Sequence, residues 1–458
     1  MADAFSTHAK LPDGEQEFKY KPETSESFEE ALNTARRGDR LSVEHGVALM
    51  TTGSDCEGID PVRKRRVLEL ADQRRQQVAG DKITFVACLN NNLTTACNTG
   101  CLFCNFKDPA HRFEEESPFD NEGFTKTPEE SRAIVKNHVE SGIYEVCSVS
   151  GLHPALVLNE EHRNLLEKEP VNYKSPSRYK KNPTTYVQQM QAMKVDDIHL
   201  HSITPEEAAH ARRGTDWSYE DVYETLAEVG LNSVPGTAAE ILVDEVRDVI
   251  CPSKIDTAEW MKAMEAAANV GLPMTSTIMY GHVENARHRV MHLERVRTLQ
   301  DRTGNITEFV PLKFVYPDTP LYERDMVDSS SSQAEDELMI AVSRLFLDNI
   351  ENIQSSWVKY GDEKGVEMLQ YGANDFMGTL LSEEITARAG GQHGVFRSVE
   401  DYLDMISDLD RPLVERSTDY TKFEPVRRQG GTPVGPKLGP HADGAPLLQD
   451  APAPSRVA

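Results

Sequence analysis

The sequence predicts an α/β protein in which a parallel sheet is wrapped by helices and closes into a barrel. Strand-like and helix-like segments alternate from about residue 80, with strand candidates such as KITFVACLN, DIHLHSI, PMTSTIMYG and ITEFVPLKFV. Repeated strand–helix units of this length are typical of a parallel sheet, and about eight of them favour a closed (β/α) barrel. A doubly wound open sheet is the alternative that the pattern leaves open.

Composition and periodicity divide the chain into five parts. Residues 1–25 are polar and predict a disordered tail, whereas 26–80 have helical spacing and predict a small helical N-terminal region. The barrel is expected over 81–390, with a C-terminal helical extension over 391–427 packed on it. The Gly-, Pro- and Ala-rich stretch 428–458 has no periodic apolar face and predicts a second disordered tail.

The chain is strongly acidic, with 49 Lys and Arg residues against 75 Asp and Glu residues and a formal net charge of −26. Such a surface repels nucleic acids and anionic membranes, so neither is an expected partner. No run of about 18 apolar residues predicts a membrane span. The acidic residues are spread along the chain, which fits either general solubility or adaptation to high salt, and we favour the second interpretation.

Three of the seven cysteines, Cys97, Cys101 and Cys104, lie together in the segment CNTGCLFC. The other four are scattered, so no disulfide framework is expected. The N-terminus also lacks an apolar signal region, and a reducing cytoplasm fits best. Three thiolates on one short loop indicate a metal or an iron–sulfur cluster. A zinc site completed by a histidine is the alternative, although zinc usually takes two separated cysteine pairs.

The position of the cysteine loop agrees with a catalytic function. It follows the first strand candidate directly, and (β/α) barrels carry their chemistry on loops at the C-terminal ends of the strands. Three thiolates can hold three irons of a 4Fe-4S cluster and leave the fourth iron open to an external ligand. A non-catalytic iron–sulfur or zinc-binding protein remains a second class of function.

These residues and several longer segments resemble a known enzyme family. CNTGCLFC is similar to the CxxxCxxC signature of radical S-adenosylmethionine (SAM) enzymes, including the aromatic Phe103 before the last cysteine. Across residues 80–420 the chain resembles the FO synthase subunits that transfer a 4-hydroxybenzyl group from tyrosine in coenzyme F-420 biosynthesis. The segments that carry this resemblance are NSVPGTAAEIL, ICPSKIDTAEW, STIMYGHVE, TEFVPLKF and YGANDFMGTL.

The resemblance implies a fold, cofactors, a reaction and partners. It implies a radical SAM-type (β/α) barrel that binds a 4Fe-4S cluster through Cys97, Cys101 and Cys104, with SAM on the open iron. The expected reaction cleaves the Cα–Cβ bond of L-tyrosine and transfers the 4-hydroxybenzyl group to 5-amino-6-(D-ribitylamino)uracil. The expected partners are an electron donor and the second FO synthase subunit, a separate radical SAM enzyme that closes the ring. The radical enzymes of the futalosine route to menaquinone are the nearest alternative.

The resemblance also implies residues that contact SAM. Phe103 is expected to lie against the adenine, and Glu240 in PGTAAE is a candidate for the polar part of SAM. A helix-starting carboxylate is the alternative for Glu240. The family has a Gly-Gly pair before LHP that offers backbone groups to the methionine amine. Here the pair is Ser150-Gly151, so one glycine is replaced.

Further polar residues are candidates for substrate binding. His199 and His201 alternate along IHLHS and so point the same way, either toward substrate or, with a third ligand, toward zinc. His153 and His282 are expected on loops at strand ends. The remaining candidates, Asn374 and Asp375, are expected after the last strand, where they could bind the uracil or the ribityl hydroxyls. Ordinary turn chemistry is the alternative for this Asn-Asp pair.

Overall fold

The computed structural model describes residues 25–53, 58–114, 123–154, 156–158, 185–429, 432–433 and 437–440. The tail predicted over 1–25 lies outside these residues except for Ser25, and the tail predicted over 428–458 lies largely outside them. The described helices are α1 (Ser25–Arg37), α2 (Val43–Met50), α3 (Pro61–Ala79), α4 (Pro128–Val139), α5 (Tyr186–Met193), α6 (Pro205–Ala211), α7 (Tyr219–Glu228), α8 (Asp244–Ile250), α9 (Thr257–Asn269), α10 (Ala286–Thr303), α11 (Pro320–Glu323), α12 (Gln333–Phe346), α13 (Trp357–Tyr360), α14 (Asp362–Met368), α15 (Ile385–Arg388) and α16 (Val399–Met405), with a 3-10 helix at Ala110–Phe113. The described strands are β1 (Ile83–Val86), β2 (Cys88–Asn90), β3 (Glu145–Ser148), β4 (His199–Ser202), β5 (Leu231–Ser233), β6 (Met274–Tyr280), β7 (Ile306–Lys313), β8 (Asn352–Ile353), β9 (Asp375–Gly378), β10 (Leu413–Arg416), β11 (Phe423–Pro425), β12 (Arg428–Gln429) and β13 (Thr432–Pro433).

The parallel strands β1 to β9 close into a ring. β2, β3, β4 and β5 form one sheet, and β6, β7 and β8 form another. A parallel bridge between Val234 and Met274 links β5 to β6, and one between Gln354 and Asp375 links β8 to β9. β9 then pairs with β1, which continues into β2 after a single residue. The predicted barrel is therefore confirmed, and the open sheet is excluded because no edge remains between β9 and β1.

The C-terminal segment differs from the expected helical extension over 391–427. It contains one helix, α16, but also β10 and β11, so the expectation of an all-helical extension is wrong. β10 pairs in parallel with β1, from Ile83 with Leu413 to Phe85 with Glu415. On its other side from β4, β3 pairs with β2, starting at Cys88, and not with β1, so this edge of β1 is free for another strand. β10 satisfies backbone groups that would otherwise be buried without partners.

The N-terminal end of the barrel is closed by side chains of β7, β9 and β10 and of the turn after β10. The Arg416 guanidinium donates to Asp375 Oδ2 at 2.7 Å and to Glu308 Oε2 at 2.8 Å, and all three residues are buried. Thr84 also donates to Asp375 Oδ2 at 2.6 Å, and the Tyr420 hydroxyl donates to Glu308. We call Arg416, Asp375, Glu308 and Tyr420 the basal network. Because the buried charges of this network are paired and hydrogen-bonded, they close this end of the barrel without leaving an unpaired charge in the interior.

The N-terminal helices pack on the outside of the barrel. α3 lies against α12, and α2 lies against α10 and α12. The approach of α2 is close: a Cβ at Gly46 would lie 2.6 Å from Val290 Cγ1 and 2.9 Å from the Phe346 ring. Among the described residues, no helix is long and apolar enough to cross a bilayer.

Candidate active site at the C-terminal end of the barrel

The cysteine loop, residues 97–104, follows β2 at the C-terminal end of the barrel. Backbone hydrogen bonds hold it at its first residue, Cys97, and at Leu102. The Cys97 amide donates to Asp108 O at 2.9 Å, the Leu102 amide donates to Ile250 O at 2.8 Å, and Leu102 O accepts from the Leu321 amide at 2.9 Å. The loop is thus fixed against three separate parts of the chain, while its side chains are left for other contacts.

The thiols of this loop suit an iron–sulfur cluster by their chemistry. Cys97, Cys101 and Cys104 are all free of disulfides, and burial raises the pKa of the Cys101 and Cys104 thiols. No set of three or more His, Cys, Asp or Glu side chains in the described part of the chain has the geometry of a preformed metal site. The fit therefore rests on the donor set: three soft thiol ligands on one loop, which a bound iron would deprotonate.

The Ser150-Gly151 pair lies against the start of the cysteine loop. The Gly151 amide donates to Thr94 O at 2.8 Å, and a Cβ at Gly151 would lie 2.6 Å from Ala96 O. Only glycine fits this close backbone approach. The Ser150 amide donates to Glu207 Oε1 at 3.3 Å, and its hydroxyl accepts from the Leu93 amide at 2.7 Å. Both amides of the pair are thus used within the protein, so an amine ligand here would meet the carbonyl oxygens.

Phe103 and Glu240 are brought together by a lysine, Lys254. The Lys254 ammonium donates to Glu240 Oε1 at 2.7 Å and lies 5.6 Å from the centre of the Phe103 ring. Burial opposes the charge on Lys254, but the nearby Glu240 carboxylate and Cys101 hold its pKa above the usual value. Glu240 does not start a helix, since α8 begins only at Asp244, and its backbone has a φ of 47°. A strained backbone at such a position is common at functional sites.

Some inward-facing side chains in the upper half of the barrel keep accessible surface, and we call the space beside them the chamber. Glu308 and Asp375 point into the barrel as part of the basal network, so residues an even number further along β7 and β9 share their face. On β7 these residues are Val310, which is buried, and Leu312, which is half-buried; on β9 the residue is Met377, which is also half-buried. Cys147, two residues after Glu145 on β3, is also half-buried. Inward-facing side chains that keep accessible surface indicate space for a substrate between the basal network and the cysteine loop.

His153 and His282 lie on loops at strand ends, as predicted, but both are buried in protein contacts. His153 O accepts from His210 Nε2 at 2.8 Å, and burial lowers the pKa of His153 to about 4. His282 Nδ1 accepts from the Val283 amide at 2.8 Å, and its Nε2 lies 3.1 Å from Met279 O. The ring nitrogens of His282 are therefore both engaged in its own turn.

His199 and His201 do point the same way, toward one serine. His199 Nε2 and His201 Nδ1 each lie 2.7 Å from Ser233 Oγ, and His199 stacks on Tyr144 with ring centres 5.8 Å apart. Burial lowers the pKa of His199 to about 4 and that of His201 to about 3. Both imidazoles are thus neutral at pH 7 and share a hydroxyl group in place of a metal. His199 begins β4, so it lies toward the closed end of the barrel.

Asn374 and Asp375 lie at the opposite end of the last barrel strand from the expected one. Asp375 is the first residue of β9, not a residue after it, and it belongs to the basal network. The Asn374 side chain accepts from Arg344 Nη2 at 2.7 Å and donates to Asn352 Oδ1 at 3.0 Å. The placement after the last strand is therefore wrong, because the strand follows the motif and the YGAND turn precedes it.

Sequence reasoning overlooked two charged residues of this site. Lys254 lies in the segment ICPSKIDTAEW, and a single lysine beside two acidic residues does not by itself indicate a binding site. Glu207 caps α6 by accepting from the Thr204 amide at 2.9 Å, and burial raises the pKa of Glu207 to about 7. Its second contact, with the Ser150 amide, joins residues 57 positions apart and is visible only in the fold.

Comparisons with known proteins agree with this geometry. The family model described as "Radical SAM superfamily" matches residues 91–296, which include the cysteine loop, the Ser150-Gly151 pair and Glu240. The family model described as "CofH/MqnC C-terminal region" matches residues 303–408. Together the two matches cover most of the chain from the residue after β2 to α16.

Solved structures share the fold at low sequence identity. The FeFe-hydrogenase maturase HydG from Carboxydothermus hydrogenoformans superposes with a TM-score of 0.59 at 14% identity, covering 87% of this chain and 81% of that chain. Methylornithine synthase (PylB) superposes with a TM-score of 0.56 at 16% identity, covering 83% of this chain and 95% of that chain. At this identity the likeness supports the fold alone.

Curated relatives are much more similar. The chain is 63% identical over 440 residues to the 5-amino-6-(D-ribitylamino)uracil–L-tyrosine 4-hydroxyphenyl transferase of Haloarcula marismortui, covering 95% of this chain and 98% of the relative. It is 63% identical to the protein of the same name from Halobacterium salinarum, covering 95% and 96%. The relative from Methanospirillum hungatei is 38% identical over 85% of this chain and 96% of its own length. The chain therefore belongs to the radical SAM superfamily and, within it, to the family of 5-amino-6-(D-ribitylamino)uracil–L-tyrosine 4-hydroxyphenyl transferases.

Proposed function

We propose that this protein transfers the 4-hydroxybenzyl group of L-tyrosine to 5-amino-6-(D-ribitylamino)uracil, a step in FO and coenzyme F-420 biosynthesis. The observation that carries the proposal is the 63% identity to relatives of that name along nearly their whole length. The chemistry of the site is compatible with it, since a loop with three free thiols faces a half-buried chamber at the C-terminal end of a barrel.

The residues around the loop have distinct roles in this proposal. Cys97, Cys101 and Cys104 hold a 4Fe-4S cluster, and the carbonyls of Ser150 and Gly151 accept from the amine of SAM. When bound, the cluster and SAM supply the radical that removes a hydrogen atom from tyrosine. The chain itself positions the substrates and keeps water away from the reacting atoms.

Phe103 and Glu240 serve the remaining parts of SAM. Phe103 packs on the adenine, and the Glu240 carboxylate accepts from a hydroxyl or amine of SAM with the oxygen that Lys254 leaves free. The Lys254–Glu240 ion pair, at 2.7 Å, holds the carboxylate in place before the ligand arrives. Such preorganisation lowers the entropic cost of binding.

The other sequence candidates divide by position. We propose that His153 and His282 shape the loops around the substrates. The His153 carbonyl accepts from His210, and both ring nitrogens of His282 are used in its own turn. His201 lies two residues above His199 on the inner face of β4 and is a candidate for the floor of the chamber. Asn374, Asp375 and His199 are assigned to closing the barrel, in place of the substrate contacts first expected for them.

The test is a reaction under anaerobic conditions. The reconstituted protein, a reductant, SAM, L-tyrosine and 5-amino-6-(D-ribitylamino)uracil are incubated, and the products are identified by mass spectrometry. We expect the uncyclised 4-hydroxybenzyl adduct together with methionine and 5′-deoxyadenosine. Complete absence of the adduct, with the cluster present, would contradict the proposal.

A second candidate function comes from the C-terminal region. Its family model is shared by CofH and MqnC, so it does not by itself separate the present reaction from that of the futalosine-pathway enzymes. Turnover of a futalosine-pathway substrate in place of the adduct-forming pair would favour that candidate. A non-catalytic iron–sulfur protein is tested by electron paramagnetic resonance: the reduced cluster spectrum should change when SAM is added.

The proposal implies partners and surroundings. The reaction needs an electron donor, and the second FO synthase subunit consumes the adduct by closing the ring. The six described cysteines are all free, which suits the reducing cytoplasm. The net charge of −26 and the relatives in Haloarcula and Halobacterium support adaptation to high salt.

A further inference from the structure

A half-buried lysine linked to the cysteine loop has no carboxylate partner in the part of the chain that the structure describes. Lys359 lies on α13, directly after β8, at the C-terminal end of the barrel. Its ammonium donates to Thr386 Oγ1 at 2.7 Å. Among the described residues, no carboxylate lies within 4.0 Å of it. Burial lowers the pKa of Lys359, and the more distant Glu383 and Glu240 only partly offset that effect.

The hydrogen bond to Thr386 links Lys359 indirectly to the end of the cysteine loop. Thr386 lies on α15, a single turn whose last residue, Arg388, accepts from Asn105 Nδ2 through its carbonyl oxygen at 2.8 Å. Asn105 directly follows Cys104. Two residues of helix rise about 3 Å along the axis. Lys359 is thus joined to the end of the cysteine loop through one helical turn.

Lys359 also borders a cavity of about 380 Å³ beside the C-terminal ends of β7 and β8. Cavities of this size hold small metabolites. Lys313, on the same cavity, is already paired with Asp336 at 2.7 Å, and Lys364 is exposed on α14. Lys359 is therefore the half-buried cation of this wall that has no carboxylate partner among the described residues.

We propose that the Lys359 ammonium binds the α-carboxylate of the amino-acid substrate. This inference rests on the proposed function, which supplies L-tyrosine as the substrate. The ribitylaminouracil is uncharged, so tyrosine and SAM are the molecules that bring a carboxylate to the site. Lys254, which contacts Phe103 and Glu240, lies on the SAM side of the loop. A charge-assisted contact to Lys359 would hold the tyrosine backbone while its side chain extends into the chamber.

The experiment compares L-tyrosine with tyramine, which lacks only the carboxylate. Affinities for the reconstituted protein with SAM are measured by anaerobic calorimetry. We expect the wild type to bind tyrosine at least about tenfold more tightly than tyramine, as a buried charged hydrogen bond provides. Lys359→Met should lose that preference, with tyramine affinity unchanged. Lys359→Arg keeps the charge and should retain much of it.

Two further variants separate the anchor from a structural role. Thr386→Val removes the hydrogen bond but keeps the ammonium, so the tyrosine preference should persist. Lys364→Met removes an exposed charge from the same cavity and should change neither affinity. The inference is overturned if Lys359→Met keeps the preference, if Thr386→Val loses as much as Lys359→Met, or if Lys359→Met weakens SAM instead of tyrosine. A wild-type protein that forms no adduct would instead contradict the proposed function.

Discussion

At the N-terminal end of the barrel Arg416 contacts both Asp375 and Glu308, whereas at the C-terminal end the partner of Lys359, within the described part of the chain, is a hydroxyl group and not a carboxylate. Both ends bury charge within the same ring of strands. At the closed end the opposite charges are supplied by the protein, so the contacts stabilise the fold. At the open end a charge without a carboxylate partner costs stability unless a ligand supplies one. The contrast teaches that a buried charge without a partner of opposite charge marks the functional end better than a buried charge alone.

The largest expected effect is at the open end. Cys101→Ala should abolish adduct formation, because two thiolates cannot replace three as cluster ligands, and should leave the melting temperature nearly unchanged, because the loop lies above a core built elsewhere. Mass spectrometry measures the adduct, circular dichroism measures the melting temperature, and iron analysis measures the cluster content, which should fall. Cys251→Ala is the matched control, because Cys251 is a buried free cysteine outside the loop. The variant protein should keep its iron. Full adduct formation by Cys101→Ala would break the comparison.

The closed end should show the reverse pattern. Arg416→Met leaves Asp375 and Glu308 buried without their cation, and we expect it to lower the free energy of unfolding by about 3–5 kcal/mol. Denaturant unfolding at fixed salt measures this loss. Arg428→Met, which removes an exposed ion pair with Asp404, should cost about 0–1 kcal/mol. Equal losses in the two variants would show that the basal network does not stabilise the fold as argued.

A smaller, pH-dependent effect is expected at Glu145, which accepts from Thr418 near the closed end. Burial raises the pKa of Glu145 from 4.5 to about 7, so the unfolded carboxyl ionises first and the folded state loses stability as pH rises between these values. Glu145→Gln removes this loss. Its stability relative to the wild type should rise from pH 5 to pH 8 by up to about 3 kcal/mol, since each pKa unit corresponds to 1.36 kcal/mol. A gain that does not vary with pH would refute the assignment.

The smallest expected effect per residue is that of the acidic outer surface on the melting temperature. Its salt dependence distinguishes general charge repulsion from the specific contacts at the two ends of the barrel. Excess carboxylates repel one another, and added cations screen that repulsion. The melting temperature should therefore rise between about 0.1 and 2 M salt, because the Debye screening length falls strongly over that range. The melting temperature of Arg416→Met should rise with salt by the same amount as that of the wild type, because salt screens the buried charges at position 416 and around it much less than the surface charges. A melting temperature independent of salt would remove the interpretation of the acidic surface as salt adaptation.

Sequence reasoning located the open end well. The spacing of CNTGCLFC marked the cysteine loop, and alternating strands and helices marked the barrel, because both signals are local in the chain. PGTAAE marked Glu240 through a resemblance, yet its partner Lys254 went unnoticed because the contact appears only when the loops meet.

The closed end was misread for a related reason. Asn374 and Asp375 look like loop residues, and LVER is too short to predict a strand without its neighbour β1. Arg416 joins Glu308 across 108 positions, so no local pattern shows that the two meet. Buried polar residues that contact each other across a barrel carry the same sequence signature as substrate ligands. The two kinds of residue are distinguished by position: the structural ones lie at the N-terminal ends of the strands, and substrate ligands are expected at the C-terminal ends.

The late position of β10 in the chain bears on how the protein matures. During synthesis, β1 leaves the ribosome more than three hundred residues before Leu413–Arg416 can pair with it. Until then Asp375 and Glu308 have no guanidinium to neutralise them, and one edge of β1 is exposed. A nascent chain that stops before this strand would present an incomplete, charged opening to chaperones and proteases. Charge neutralisation at the N-terminal end of the barrel therefore depends on a strand that is made late, after all nine strands of the ring.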